Sequence, residues 1–290
     1  MRGFSIPDFV FHQLTILAPG LLGASLGMAT HHFSLAKRVH VWARRAESRE
    51  DCLSKDWCDA AYADPAESVE GSDLVIICTP VDMISDMMGQ IAPALKPGAL
   101  VTDVGSTKSR ICRMSAGLLQ NGTDFIGSHP MAGSEKSGME HASSEIFRDR
   151  ACLVTPLEGS SEGQIEKLVR FWRGLGMEVT SLSPERHDEI VAHISHLPHL
   201  LASVLCLQLN RNPHAWQAFS GNGLRDTTRI AAGNPEIWRS IFEQNKEELI
   251  RALDGFEEEV AKIRSHMLNG EWPQVRHLLS SAKAYREELD

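Results

Sequence analysis

The residues best able to do chemistry in this sequence lie in a few short runs. The first is Ala18-Pro19-Gly20-Leu21-Leu22-Gly23, which follows the apolar run Leu14-Thr15-Ile16-Leu17 and precedes a helix-forming stretch. A bound dinucleotide needs such a turn, because backbone N–H groups at a helix start face its pyrophosphate. The common pattern is G-x-G-x-x-G. Here Ala18 stands at the first glycine, Gly20 keeps the close backbone approach, and Gly23 keeps the packing of helix on strand. Taken alone, the turn also fits simple strand-to-helix packing; its place at the head of an alternating strand–helix pattern favours the dinucleotide. The next strand ends Val41-Trp42-Ala43-Arg44-Arg45, with no acid to accept from a ribose 2′-OH. Guanidinium groups offer forked donors to a 2′-phosphate, so NADP is the expected cofactor, read by Arg44 and Arg45. NAD is the alternative, with both arginines as solvated loop charges. Thr79-Pro80 ends another strand at the carboxyl edge, where doubly wound sheets bind ligands. It suits contact with the nicotinamide ribose, or a plain strand-ending turn.

Three further runs combine hydroxyl, imidazole, carboxylate and guanidinium groups. They are Asp103 to Lys108, Gly127 to Gly138, and Ser195-His196-Leu197-Pro198-His199 followed by Gly221 to Ala231. His196 and His199 stand three apart and so share a helix face. Two histidines at that spacing could hold a metal, but no carboxylate or cysteine nearby completes a zinc pattern, and no metal is expected.

The elements that must position these runs change character along the chain. In the first part, apolar strands (39–42, 73–80, 99–104) alternate with helical patterns (83–95, 108–119). That alternation implies βαβ units and an α/β, Rossmann-type doubly wound parallel sheet with helices on both faces. Residues 124–127, 151–155 and 178–182 can add strands, with a helix over 161–175. After Ser183-Pro184 no convincing strand remains. Residues 184–209, with Pro198 inside, 235–267 and 272–288 read as long helices, and a proline near the start of each suits a helix N-terminus. The expected division is a dinucleotide-binding domain over 1–183 and an all-helical substrate and dimerisation domain over 184–290, with the site between them.

A chain of 290 residues suffices for two domains. Its net charge of −9, without a basic block, argues against nucleic acid or an anionic membrane as partner. An anionic small molecule must then be met by individual arginines. Six cysteines, none spaced as CxxC, read as the reduced thiols of a cytoplasmic protein. Residues 1–12 lack the apolar core of a signal peptide, and no run approaches the roughly 18 apolar residues of a membrane span.

Over residues 14–245 the sequence resembles the prephenate/arogenate dehydrogenase family of tyrosine biosynthesis. The resemblance is carried by His129-Pro130-Met131-Ala132-Gly133-Ser134-Glu135-Lys136-Ser137-Gly138 and by Ser195-His196-Leu197-Pro198-His199, in that order. It implies oxidative decarboxylation of prephenate to 4-hydroxyphenylpyruvate with hydride transfer to NAD(P). Arogenate, giving tyrosine directly, is the alternative substrate. It implies His129 as base or hydrogen-bond acceptor for the substrate hydroxyl, a task that suits imidazole near neutral pH. Ser106 would orient the hydroxyl, His129 and the nicotinamide, or cap the helix before Lys108. Arg229 would hold a substrate carboxylate, His199 would hydrogen-bond the side chain, and Asp226 would orient both. Ser134 and Glu135 belong to the same pocket, where Glu135 gates, pairs with a residue of the helical domain, or stays solvated. His196 binds substrate or makes a buried structural bond, and Trp238 lines the pocket or serves the core. The family's helical domains form a homodimer, which is expected here. Neither a mutase nor a regulatory domain is expected. A rival on the same plan, an NADP-linked imine or β-hydroxyacid reductase, uses a helical-domain lysine, and the chain has none between Lys167 and Lys246. A non-catalytic dinucleotide-binding regulator would not need Ser106, His129, His199 and Arg229 together.

Overall fold

The computed structural model describes residues 10–119, 122–133, 136 and 138–289. Its centre is a sheet of six strands: β1 (Phe11–Leu17), β2 (Ala36–Trp42), β3 (Ala60–Tyr62), β4 (Leu74–Ile77), β5 (Leu100–Asp103) and β6 (Asp124–Phe125). They lie in the order β3-β2-β1-β4-β5-β6, every neighbouring pair parallel. Helices α1 (Leu21–His32), α2 (Ala46–Leu53), α3 (Pro65–Val69), α4 (Ile84–Ile91) and α5 (Ser109–Ala116) make the connections. β4 and β5 are buried at every residue, which is why both read as unbroken runs rather than as alternation. The order reverses between β1 and β4, so the carboxyl ends of those strands open the crevice used for ligands in such sheets.

Strands at 151–155 and 178–181 exist but do not extend this sheet. β7 (Gly127–Pro130), β8 (Ala151–Thr155) and β9 (Glu178–Ser181) form a separate three-stranded sheet, with β7 antiparallel to β8 and β8 parallel to β9 across helix α6 (Glu162–Gly174). The physical reason lies at Ser128. Its hydroxyl bonds Thr102 Oγ1 at 2.8 Å and accepts from Trp172 Nε1 at 3.0 Å. Side chains, not ladder hydrogen bonds, therefore hold β7 beside β5.

The remaining described elements are helical: α7 (Pro184–Val191), α8 (Leu197–Leu209), α9 (Asn222–Thr228), α10 (Pro235–Gln244), α11 (Lys246–Leu268) and α12 (Trp272–Glu287). Ser183 and Asn234 cap α7 and α10 through Arg186 N and through Glu236 N and Ile237 N, each just ahead of a proline at the first turn. A π-helical turn over Ala192–His196 joins α7 to α8. Pro198 has no N–H to donate back to Ile194, and the wider turn absorbs that gap. The whole run Pro184–Leu209 is 26 residues with mean hydropathy 1.6 in its best window, long and apolar enough by composition to cross a membrane. The sequence reading did not anticipate this, because scattered His and Ser residues interrupt the apolar count without lowering the mean much. The stretch expected as one helix over 235–267 is two. Asn245 breaks it at φ −114° and ψ 32°, turning its side chain inward to donate to the Asp188 carbonyl at 2.8 Å and to meet His196 Nδ1 at 3.1 Å.

Candidate active site

The glycine turn sits where β1 meets α1. A Cβ at Gly20 would touch nothing within 4 Å, so the backbone there is open to a ligand. A Cβ at Gly23 would lie 2.4 Å from the Ala18 carbonyl oxygen, so helix and turn could not close on each other with any side chain at 23. Ala18 takes the left-handed conformation (φ 75°) that the missing first glycine would adopt freely. Two clefts share this turn. One, of about 520 Å³, is walled by Gly20, Arg44, Arg45, Thr79 and Pro80, with Asp51 and Glu140 adding acids. The other, of about 910 Å³, is walled by Leu21, Leu22, Ser106, His129, His199 and Arg229. The buried Thr79 hydroxyl has no hydrogen-bond partner among the described residues. An open Gly20 and an unpaired Thr79 hydroxyl on one wall fit a bound dinucleotide. Sequence reading missed Arg49, which donates to the Ala43 and Arg44 carbonyls at 2.9 and 3.1 Å and so fixes the loop carrying both arginines.

His129 lies on β7, 7 % exposed, at the floor of the larger cleft. Its Nδ1 is 2.9 Å from His187 Nε2, and His187 Nδ1 is 2.8 Å from Asp188 Oδ1. Asp188 also accepts from Lys108 N and Ser109 N, each at 2.8 Å. The carboxylate thus caps α5 from another element, placing negative charge where a helix start favours it. Ser106 is not the cap; it stays at the cleft wall. Burial opposes the Asp188 charge, but the hydrogen bonds from His187 and Ser109 prevail and hold its pKa below the usual carboxylate range. An ionised Asp188 accepts from His187 Nδ1–H. His187 Nε2 then accepts from His129 Nδ1–H, which leaves the lone pair of His129 on Nε2. Burial first, then His187 and Lys108, hold the His129 pKa well below the ordinary histidine value, so the ring is neutral.

A second network ties this strand to the Ser106 loop. Lys108 and Asp103 form an ion pair with both side chains fully buried. Asp103 further accepts from Gly105 N at 2.9 Å and Ser128 N at 3.2 Å. Removing either partner would leave a buried charge alone, so the pair locks Ser106 and His129 in one frame.

The helical side supplies the opposite wall. His199 stacks on Trp238 with ring centroids 3.5 Å apart and planes 10° apart. Gly233 permits this, since a Cβ there would lie 2.5 Å from Trp238 Nε1 and 3.1 Å from His199 Cε1. His199 Nδ1 is buried without a partner among the described residues. Arg229 and Trp238 both line the cleft. His196 does not; it is fully buried against Asn245, and burial above all lowers its pKa to about 4. Its structural alternative is the one the geometry supports. Asp226, expected to orient Arg229 and His199, is exposed and lines neither cleft. α9 ends at Thr228 and gives way to a 3-10 turn that carries Arg229 into the cleft wall. Ser134 and Glu135 lie outside the described residues. Among the described residues no group of three or more His, Cys, Asp or Glu is arranged to hold a metal.

A Rossmann sheet with an open glycine turn, leading into a cleft floored by a neutral, oriented imidazole, defines a nicotinamide-dinucleotide-dependent oxidoreductase. The profile described as "Prephenate dehydrogenase, nucleotide-binding domain" matches residues 27–181, and "Prephenate dehydrogenase, dimerization domain" matches residues 183–281. The chain belongs to the prephenate dehydrogenase family. It is 30 % identical over 274 residues to a prephenate dehydrogenase of Bacillus subtilis, covering 93 % of this chain and 74 % of that one. It is 28 % identical over 280 residues to a cyclohexadienyl dehydrogenase of Zymomonas mobilis, covering 95 % of each. Its fold is similar to that of prephenate dehydrogenase from A. aeolicus in complex with hydroxyphenyl propionate and NAD+, with a TM-score of 0.90, 26 % identity and full coverage of both chains.

Proposed function

We propose that this chain oxidatively decarboxylates prephenate to 4-hydroxyphenylpyruvate, as a homodimer that prefers NADP. The observation that carries this reading is the His129–His187–Asp188 chain, which points a neutral, basic nitrogen toward the cleft shared with Ser106, His199 and Arg229. A nicotinamide dinucleotide held along Gly20 and Thr79 would supply the hydride acceptor for C4 of the substrate ring. The chain's own residues do the rest. His129 Nε2 accepts the C4 hydroxyl proton as that carbon gains carbonyl character. It returns the proton to oxygen once CO2 has left and the ring is aromatic, so no net proton is released. Ser106 orients the hydroxyl, and Arg229 pairs with a carboxylate. His199, braced by Trp238, offers its ring to the keto-acid side chain. Arogenate differs from prephenate only at that side chain and is the second reading.

The NADP preference rests on Arg44 and Arg45 at the wall of the smaller cleft. The dimer rests on the helical part, the proposed domain over 184–290. Helix α12 buries no residue within the chain, and Phe219, Leu207 and Leu268 are 83 %, 65 % and 70 % exposed. The test is His129→Asn. Turnover should fall by about 10²- to 10⁴-fold while dinucleotide affinity stays within twofold; an undiminished kcat would remove His129 from the mechanism.

A further inference from the structure

Prephenate carries two carboxylates, and the reading above gives only one of them a partner, Arg229. The Rossmann-side wall of the same cleft holds three more cations: Lys136, Arg148 and Arg150. Arg148 is engaged, with Nη1 3.0 Å from Glu145 Oε2. Lys136 has a partner of its own. Arg150 differs from both. Its side chain is exposed to the cleft, and among the described residues its guanidinium makes no ion pair or hydrogen bond.

Its backbone, by contrast, is fixed on both sides. The Arg150 N–H donates to the Phe147 carbonyl at 3.2 Å, and its own carbonyl accepts from Glu178 N at 2.9 Å. The strand register sets where the side chain begins. His129 pairs with Leu153, Pro130 with Cys152, and Met131 N donates to the Ala151 carbonyl at 2.8 Å. Arg150 directly precedes β8, next to Ala151, and lines the same cleft as Ala132, three residues beyond His129. The side chain is therefore an uncompensated guanidinium, mounted on an anchored backbone, at the wall of an anion's cleft. In a protein of net charge −9 such a cation is not background. Its forked donors match a carboxylate in two parallel hydrogen bonds.

We infer that Arg150 is a second carboxylate-binding residue, placed so that each carboxylate of a dianionic substrate meets its own guanidinium, Arg150 on one wall and Arg229 on the other. The inference rests on the proposed reaction. It also gives product release a physical basis, since loss of CO2 removes one of the two anchored anions. The experiment is steady-state kinetics of Arg150→Gln and Arg150→Lys, with prephenate and dinucleotide varied separately. Arg150→Gln should raise KM for prephenate about tenfold to a hundredfold, leave kcat within threefold and leave KM for the dinucleotide unchanged. Arg150→Lys should recover part of the loss. A prephenate KM within twofold of wild type, in an active enzyme, overturns the inference, as does a rise in dinucleotide KM instead. Wild-type protein inert toward prephenate overturns the reaction first and the inference with it.

Discussion

Asp188→Asn isolates the residue that orders the site without touching substrate. The carboxylate accepts three hydrogen bonds of 2.8 Å, from Lys108 N, Ser109 N and His187 Nδ1, and is 2 % exposed. Asparagine cannot reproduce this. Whichever way the amide is turned, its NH2 faces a backbone N–H of the α5 start. One charge-assisted bond, worth about 1.5–3 kcal/mol, is lost, and a buried donor costing about 1–3 kcal/mol is left unsatisfied. The variant should be about 3–5 kcal/mol less stable by denaturant unfolding, in line with breaking a buried charged contact. The kinetic consequence is separate. A neutral amide oxygen holds the His187 Nδ1–H less firmly than a carboxylate, and the flipped amide donates to that nitrogen instead, so His129 spends part of its time with Nε2 protonated and unable to accept. Turnover should drop about tenfold to a thousandfold with KM for the dinucleotide unchanged. A stability loss below about 1 kcal/mol with kcat within threefold of wild type would refute both the capping and the tautomer argument.

Acid should weaken the fold before it protonates the carboxylates. His196 has its pKa lowered from 6.5 to about 4, chiefly by burial, so between those values the unfolded chain binds a proton the native chain refuses. Stability therefore rises with pH across this window and is lost on acidification, by about 3 kcal/mol from His196 alone, with His129 and His187 acting in the same direction. Unfolding curves at pH 7 and pH 4.5 should show a smaller acid loss in His196→Gln than in wild type; equal losses would contradict the assignment. Gly233→Ala should push Trp238 off His199, since its Cβ would stand 2.5 Å from Trp238 Nε1. Prephenate KM should rise by about tenfold or more, with cofactor binding intact; unchanged kinetics would mean the stack does not shape the pocket.

The sheet was legible because β4 is apolar and buried throughout and the apolar runs of β1 and β5, Leu14–Leu17 and Leu100–Val101, are broken only by the buried Thr15. The short pieces were not: β3 has three residues, and α2 is almost wholly polar, so neither leaves a hydrophobic period to detect. The second sheet escaped notice because side chains of Ser128, Thr102 and Trp172, distant in sequence, decide where β7 lies. At the site, Gly20 lines the smaller cleft, and Ser106, His129, His199 and Arg229 line the larger one. His187 and Asp188 carry no motif that marks them; Asp188 meets Lys108 across 80 residues of chain, a contact only the fold creates. Asn245, polar within an apolar helical period, was the available sign of the break before α11.

The most direct measurement is formation of reduced dinucleotide by the purified wild-type protein, offered prephenate or arogenate, each with NADP or NAD. Arg44 and Arg45 predict the fastest rise with NADP, and the neutral His129 predicts a rate that holds steady from pH 8 down through the ordinary histidine range near 6.5. Faster reduction of NAD would demote both arginines to loop charges and leave the chemistry standing. Folded protein that binds dinucleotide yet reduces neither form with either substrate would contradict the central claim.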